Sequence, residues 1–169
     1  MRRSPLLLAL LTAAVALPGC GGLGLFGGGA DLTALEVAGR YQFTEYTLDP
    51  VSDAVRDIEL LGDRLSEDVT LLLREDGTAA LQRLRGERVD ETLSNGTYTI
   101  SGGTVTVRFD DPGALDDFYM PGEVAFEGDG QTLRAEVFRE GLDLERISGE
   151  YRGVTRADAR LRIRLEEIG

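Results

Sequence analysis

The chain of 169 residues has no lysine, no histidine and no tryptophan, and it has one cysteine. All 18 of its bases are therefore arginine, set against 30 acids. Each absence removes a class of chemistry. Without histidine there is no imidazole general base and no histidine-ligated metal. Without lysine there is no Schiff base and no phosphate-binding P-loop. One cysteine cannot form an internal disulfide. These exclusions favour a binding protein over an enzyme. What is present is globular in kind: 42% hydrophobic and 28% charged residues, in a length that suits one domain.

The single cysteine stands in an informative place. Residues 1–20 read MRRSPLLLALLTAAVALPGC. Arg2 and Arg3 make a positive start, and Leu6 to Leu17 make an apolar run. A bilayer core of about 30 Å needs about 20 apolar residues as a helix, so this run is too short to span it. It has the length of a signal peptide core. The run ends in Leu17-Pro18-Gly19-Cys20, which resembles the lipobox of bacterial lipoproteins. That resemblance implies cleavage before Cys20, acylation of its sulfur and of the new amine, and a palmitate-type anchor. Gly21 follows the cysteine. In Gram-negative lipoproteins that implies delivery to the outer membrane, with the protein facing the periplasm. After Cys20, six glycines among residues 21–29 read as a tether. It contains a literal GxGxxG, Gly22 to Gly27. A dinucleotide site would need a strand before it and a helix after it, and neither pattern is there. The expected organisation is a signal peptide over 1–19, an acylated Cys20 and tether over 20–35, and one domain over 36–169.

The domain alternates with period two. Val105, Val107 and Phe109 alternate with polar residues, as do Leu133, Ala135 and Val137, and Ala159, Leu161, Ile163 and Leu165. Such alternation marks strands with one apolar face and one wet face. Asp76-Gly77, Gly102-Gly103, Gly128-Asp129-Gly130 and Glu140-Gly141 punctuate the runs as tight hairpin turns. The predicted strands are 37–48, 68–75, 78–85, 92–101, 104–110, 118–127, 131–138, 141–152 and 158–166. Two break their own alternation, at Phe43 to Tyr46 and at Leu144 to Ile147, which predicts β-bulges. Val51–Leu61 carries Ala54, Val55, Ile58 and Leu61 at helical spacing, with Gly62 as a stop. The expected fold is all-β: an antiparallel up-and-down meander of eight or nine strands closed into a barrel, with one short helix between the first two strands.

Gly39-Arg40-Tyr41, the broad first loop and the tight hairpins that follow resemble a lipocalin-like barrel. Gly39-x-Tyr41 stands where lipocalins carry Gly-x-Trp. The resemblance implies that a late arginine, Arg160, Arg162 or Arg164, packs near that aromatic. It also implies a ligand site inside the barrel. The candidate lining residues are Tyr41, Phe43, Tyr98, Phe109, Phe118, Met120 and Phe126. An eight-stranded barrel is just wide enough to be filled by side chains or to hold one small ligand, and both readings stay open. With an apolar lining the ligand would be a fatty acid, lipid or isoprenoid.

Other candidates carry less. Asp110, Asp111, Asp116 and Asp117 cluster in one loop, but without the spacing of a calcium loop. No apolar setting around them marks a raised carboxyl pKa for acid–base hydrolysis. The ladder Arg160, Arg162 and Arg164 could grip anions, but it suits cross-strand pairing with acids better. Removing Arg2 and Arg3 takes the net charge from −12 to −14, which opposes nucleic-acid binding. No cofactor, metal or catalytic residue is expected. The first functional expectation is an anchored carrier of a small hydrophobic ligand. The second is a non-enzymatic scaffold or interaction module of the envelope with a filled barrel. The partners are the membrane, through the anchor, and possible apolar ligands, with any protein partner unknown. The acid excess also makes a testable statement: raising salt should screen self-repulsion and raise the melting temperature. A melting temperature indifferent to salt would count against it.

Overall fold

A computed structural model describes residues 32–52, 55–147 and 149–169. The signal peptide, Cys20 and the glycine-rich tether lie outside the described residues. The chain begins with one helical turn, α1 (Ala34–Val37). Thr33 and Glu36 close it with a reciprocal capping box, which satisfies two amides that have no partner inside the helix. The strands that follow are β1 (Gly39–Pro50), β2 (Ile58–Glu59), β3 (Val69–Leu73), β4 (Thr78–Arg85), β5 (Arg88–Ser101), β6 (Thr104–Phe109), β7 (Glu123–Gly128), β8 (Thr132–Leu142) and β9 (Ala157–Ile168). From β3 to β9 each strand pairs antiparallel with the next, and β9 returns to pair with β1 from Arg40↔Ile168 to Pro50↔Ala159. Eight strands thus make the expected closed up-and-down barrel, with β2 as a ninth on the flank of β1. Closure leaves the apolar face of each strand one place to go, which is inward.

The glycine turns work as the sequence implied. Gly77, Gly102 and Gly130 have φ of 82°, 59° and 88°, a region that residues with a Cβ enter at a cost. The bulge in β1 is also present: the register against β9 shifts between Phe43 and Glu45. It lets Tyr41, Phe43, Tyr46 and Leu48 all point inward despite the change of parity.

Three local expectations are corrected. The described residues of Val51–Leu61 form no helix. They bend, then run as β2 beside β1, with Leu48↔Ile58 in register and the Leu60 amide on the Tyr46 carbonyl at 2.9 Å. The reason is backbone satisfaction. β3 covers β1 only from Gly39 to Gln42, so the rest of that edge needs a partner. Ile58 and Leu60 are buried as alternate residues, and period two wins over helical spacing. Glu140-Gly141 is not a hairpin turn. Gly141 has φ of 65°, but its left-handed conformation serves a bulge, and β8 continues along β9 to Leu142. The expected strand 141–152 is instead two short 3-10 turns, Leu144–Arg146 and Gly149–Tyr151. The expected strand 118–127 starts only at Glu123. Before it, Asp111 caps a 3-10 helix, Pro112–Phe118, and Tyr119 turns left-handed at φ 59°. Proline at the helix start and an aspartate cap outweigh the apolar parity of Phe118 and Met120.

Candidate functional site

The barrel interior is a single buried cluster. Of the seven candidate lining residues, Tyr41, Phe43, Tyr98, Phe109, Met120 and Phe126 lie within it, and Phe118 is half-buried at its margin. The inward rows of the other strands join them: Val105 and Val107 from β6, Leu133 from β8, and Leu161, Ile163 and Leu165 from β9. Tyr41, Val105, Val107, Leu133, Leu161 and Leu165 are all at 0% exposure. A void able to hold a ligand would leave accessible surface on its lining. These side chains have none, and they belong to one continuous buried cluster. Phe43 and Tyr46 pack edge to face with ring centroids 5.6 Å apart, a favoured geometry for aromatic pairs.

Three tyrosines tie this core to the barrel ends. The Tyr41 hydroxyl donates to the Val37 carbonyl at 2.9 Å and the Gly130 carbonyl at 2.6 Å. Tyr98 donates to the Arg74 carbonyl at 2.7 Å. Tyr46 donates to the Phe118 carbonyl at 2.9 Å. Burial pushes all three phenols above their ordinary pKa; nearby acids push the same way at Tyr41, Glu167 first, and at Tyr98, Asp76 first, whereas Arg139 opposes the rise at Tyr46. They remain protonated donors. Tyr41 and Tyr98 hold the end that carries the tight turns. There the Leu32 amide also donates to the Gly102 carbonyl at 3.2 Å, so α1 lies across that end. Tyr46 holds the opposite end. Leu60, Leu65, Leu115, Met120 and Leu144 are buried in the long connections there.

The arginine ladder is elsewhere. Ala159, Leu161, Ile163 and Leu165 take the inner face of β9, so Arg160, Arg162 and Arg164 take the outer face. This corrects the expectation of an arginine beside Tyr41. Their partners are acids: Arg160 with Glu136, Arg162 with Glu45 and Asp57, and Arg164 with Glu166. Burial disfavours the Arg162 charge, but the hydrogen bond and charge of Asp57 outweigh it and raise its pKa. In the acidic loop, Asp111 takes the Ala114 amide as a helix cap. Among the described residues, no group of three or more acids or cysteines is arranged to hold a metal.

One feature of this outer surface is not evident from alternation alone. A cleft of about 550 Å³ runs over it, lined by Glu45, Ala125, Glu127, Arg134, Ala135, Glu136 and Arg162 to Arg164. It lies where the barrel wall parts. β7 and β8 pair only at Glu127↔Arg134 and Gly128↔Leu133, then diverge. Phe138 stands on β8 beyond that point and is 53% exposed. The one signal in the sequence is that Phe138 shares the parity of Arg134, Glu136 and Glu140, the wet face of its strand.

A closed eight-stranded up-and-down meander is the architecture that lipocalin-like barrels use, and that is the class this fold defines. The chain is similar in structure to a lipocalin-like protein from Bacteroides uniformis, known from a crystal structure. The two are 15% identical with a TM-score of 0.39, over 79% of this chain and 99% of that one. No family model matches the sequence. No curated protein matches it either.

Proposed function

We propose that this chain is an acylated envelope lipoprotein, held in the outer membrane through Cys20 and facing the periplasm, whose packed barrel is a non-enzymatic interaction module. The observation that supports the module over the carrier is the interior. Of the aromatics that would line a ligand cavity, Tyr41, Phe43, Tyr98, Phe109 and Phe126 have almost no accessible surface and belong to one buried cluster. To admit a fatty acid they would have to leave a close-packed core, at a cost of several kcal/mol. A filled barrel leaves the outer face and the loops for recognition. The hydrogen bond from Leu32 to Gly102 supports a reading in which the anchor is reached from the tight-turn end. The long connections at the other end would then face away from the bilayer.

Two measurements test the two halves of this reading. For the module, the secreted Cys20→Ser chain is incubated with envelope lipid and examined by native mass spectrometry. It should retain no lipid mass and should not bind a fluorescent fatty acid. A bound lipid displaced by that probe would restore the carrier reading, with Tyr41, Phe43 and Phe126 as its first contacts. For the anchor, Cys20→Ser should release the chain from membranes into the soluble envelope fraction. Each buried CH₂ of acyl chain contributes about 0.8 kcal/mol to anchoring, so loss of the chains should be close to complete in effect. A Cys20→Ser chain that stays membrane-bound and acylated would overturn the lipobox reading.

A further inference from the structure

The parting of β7 and β8 leaves backbone groups without strand partners. Gln131 turns its carbonyl to the Glu167 amide on the β9 side, and Thr132 turns its carbonyl to Asp129. By alternation, Glu136 and Phe138 turn their amides and carbonyls toward β7. There they find no strand, because the β7–β8 ladder has already ended at Glu127↔Arg134. The other side of the same strand is paired with β9 from Thr132 to Arg139 and again at Leu142, with the bulge at Glu140 and Gly141 between. β8 is therefore an edge strand on one side, inside a barrel that is otherwise closed. Such an edge is a template for another strand.

β9 indicates what kind of strand β8 accepts. It places Ala159, Leu161, Ile163 and Leu165 inward and Arg160, Arg162 and Arg164 outward, so that Arg160 meets Glu136. The open side of β8 offers the same outward row, with Glu136 and Glu140 flanking the exposed Phe138. Across the gap, Glu123, Ala125 and Glu127 face outward on β7; Glu123 is held by Arg108, Glu127 lines the cleft, and Ala125 is small enough to leave it open.

We propose that the open edge of β8, from Glu136 to Glu140, binds an extended segment of another protein by strand addition. That segment has arginine or lysine at its outward alternate positions and apolar residues between them. Backbone hydrogen bonds to Glu136 and Phe138 supply affinity, and the acids beside Phe138 select the cationic side chains. The proposal rests on the interaction-module reading and names the partner chemistry of that module.

The test uses the full-length Cys20→Ser chain and a capped synthetic peptide of alternating arginine and valine, with an alternating glutamate and valine peptide as control. Hydrogen exchange at the Glu136 and Phe138 amides should slow at least tenfold with the arginine peptide and stay unchanged with the control. Phe138→Pro removes one of those donors on the side away from β9, where proline is tolerated, and should abolish the protection. Glu136→Arg keeps the backbone and should weaken peptide binding at least tenfold, which covers the case in which the proline variant fails to fold. No protection at these amides, equal protection by the glutamate peptide, or binding unaffected by Glu136→Arg would each overturn the proposal. So would protection in the chain alone that rises with its own concentration, because the occupant would then be a second copy. Retention of a fatty acid would defeat the packed-barrel reading instead, and it is read in a separate experiment that leaves the strand-pairing result standing.

Discussion

Replacing Phe126 with alanine should destabilise the barrel by about 3–5 kcal/mol, the usual cost of removing a buried phenylalanine ring. For a domain of this size that is a fall of about 10–20 °C in melting temperature. Phe126 is 1% exposed and faces Val105 across the β6–β7 ladder. Its ring belongs to the buried cluster that fills the barrel. The strands that surround it are tied to each other by ladder hydrogen bonds, so they cannot collapse fully into the space it leaves. The one place where relaxation is cheap is the β7–β8 parting, and a value near the lower limit would mean the wall closes there. Thermal and urea unfolding of the Cys20→Ser chain, with and without Phe126→Ala, gives the difference directly. The same variant discriminates between a packed interior and a ligand cavity. In a packed core, truncation creates a new dry hole that should bind xenon or benzene where the parent does not. In a cavity it would only enlarge a space already there. A loss below about 1 kcal/mol would show that Phe126 is not gripped from both sides, and the filled-barrel argument would fail with it.

The barrel was readable in the sequence because its two strongest signals are local. Val105-x-Val107-x-Phe109 reports one buried face without reference to anything distant. Asp76-Gly77, Gly102-Gly103 and Gly130 mark backbone conformations that only the turn itself demands. The β1 bulge is legible for the same reason, since the parity change from Phe43 to Tyr46 is a property of four consecutive residues. What misled the reading was settled by partners far away in the chain. Gly141 carries a turn signal, but whether it turns or bulges depends on β9, whose Asp158 carboxylate accepts its amide at 3.0 Å. Ala54, Val55, Ile58 and Leu61 follow a helical spacing, but the bare edge of β1 recruits Ile58 and Glu59 as a strand and the Leu60 amide as a partner. Period two places Tyr41, Phe43, Tyr98, Phe109 and Phe126 on the buried side of their strands, while Phe118 lies at the margin of the core. Composition could not decide between cavity and core, because that depends on whether opposite walls touch. The β7–β8 parting was hidden for a related reason: both strands alternate well, and nothing in either one states how many residues they share.

The second large effect concerns α1, the helical turn across the tight-turn end. Two features hold it there. The Tyr41 hydroxyl reaches both the Val37 carbonyl at the end of α1 and the Gly130 carbonyl in the β7–β8 turn. Gly130 itself packs so closely that a Cβ on it would lie 2.6 Å from the Glu36 carbonyl oxygen, at a φ of 88°. Gly130→Ala should therefore cost about 2–4 kcal/mol, from left-handed strain together with displacement of α1. Tyr41→Phe should cost about 1–2 kcal/mol, because two buried carbonyls lose a shared donor while the ring stays in place. The double variant should be more stable than the sum of the singles implies, by at least about 0.5 kcal/mol. Once alanine has pushed α1 away from the turn, the hydroxyl can no longer bridge the two carbonyls, so its removal matters less. Hydrogen exchange adds a local readout: the Glu36 amide, protected by the capping box with Thr33, should exchange faster in Gly130→Ala. Strict additivity, within about 0.3 kcal/mol, would mean that Tyr41 supports β1 alone and that α1 is held by something else. The outcome bears on the anchor as well. α1 is the described element nearest to Cys20 in the chain, so under the anchor proposed above a pull on the terminus would pass through the Leu32–Gly102 hydrogen bond and then reach Tyr41 and Gly130. A joint made of two coupled contacts resists that pull as a unit, whereas two independent contacts would yield in turn.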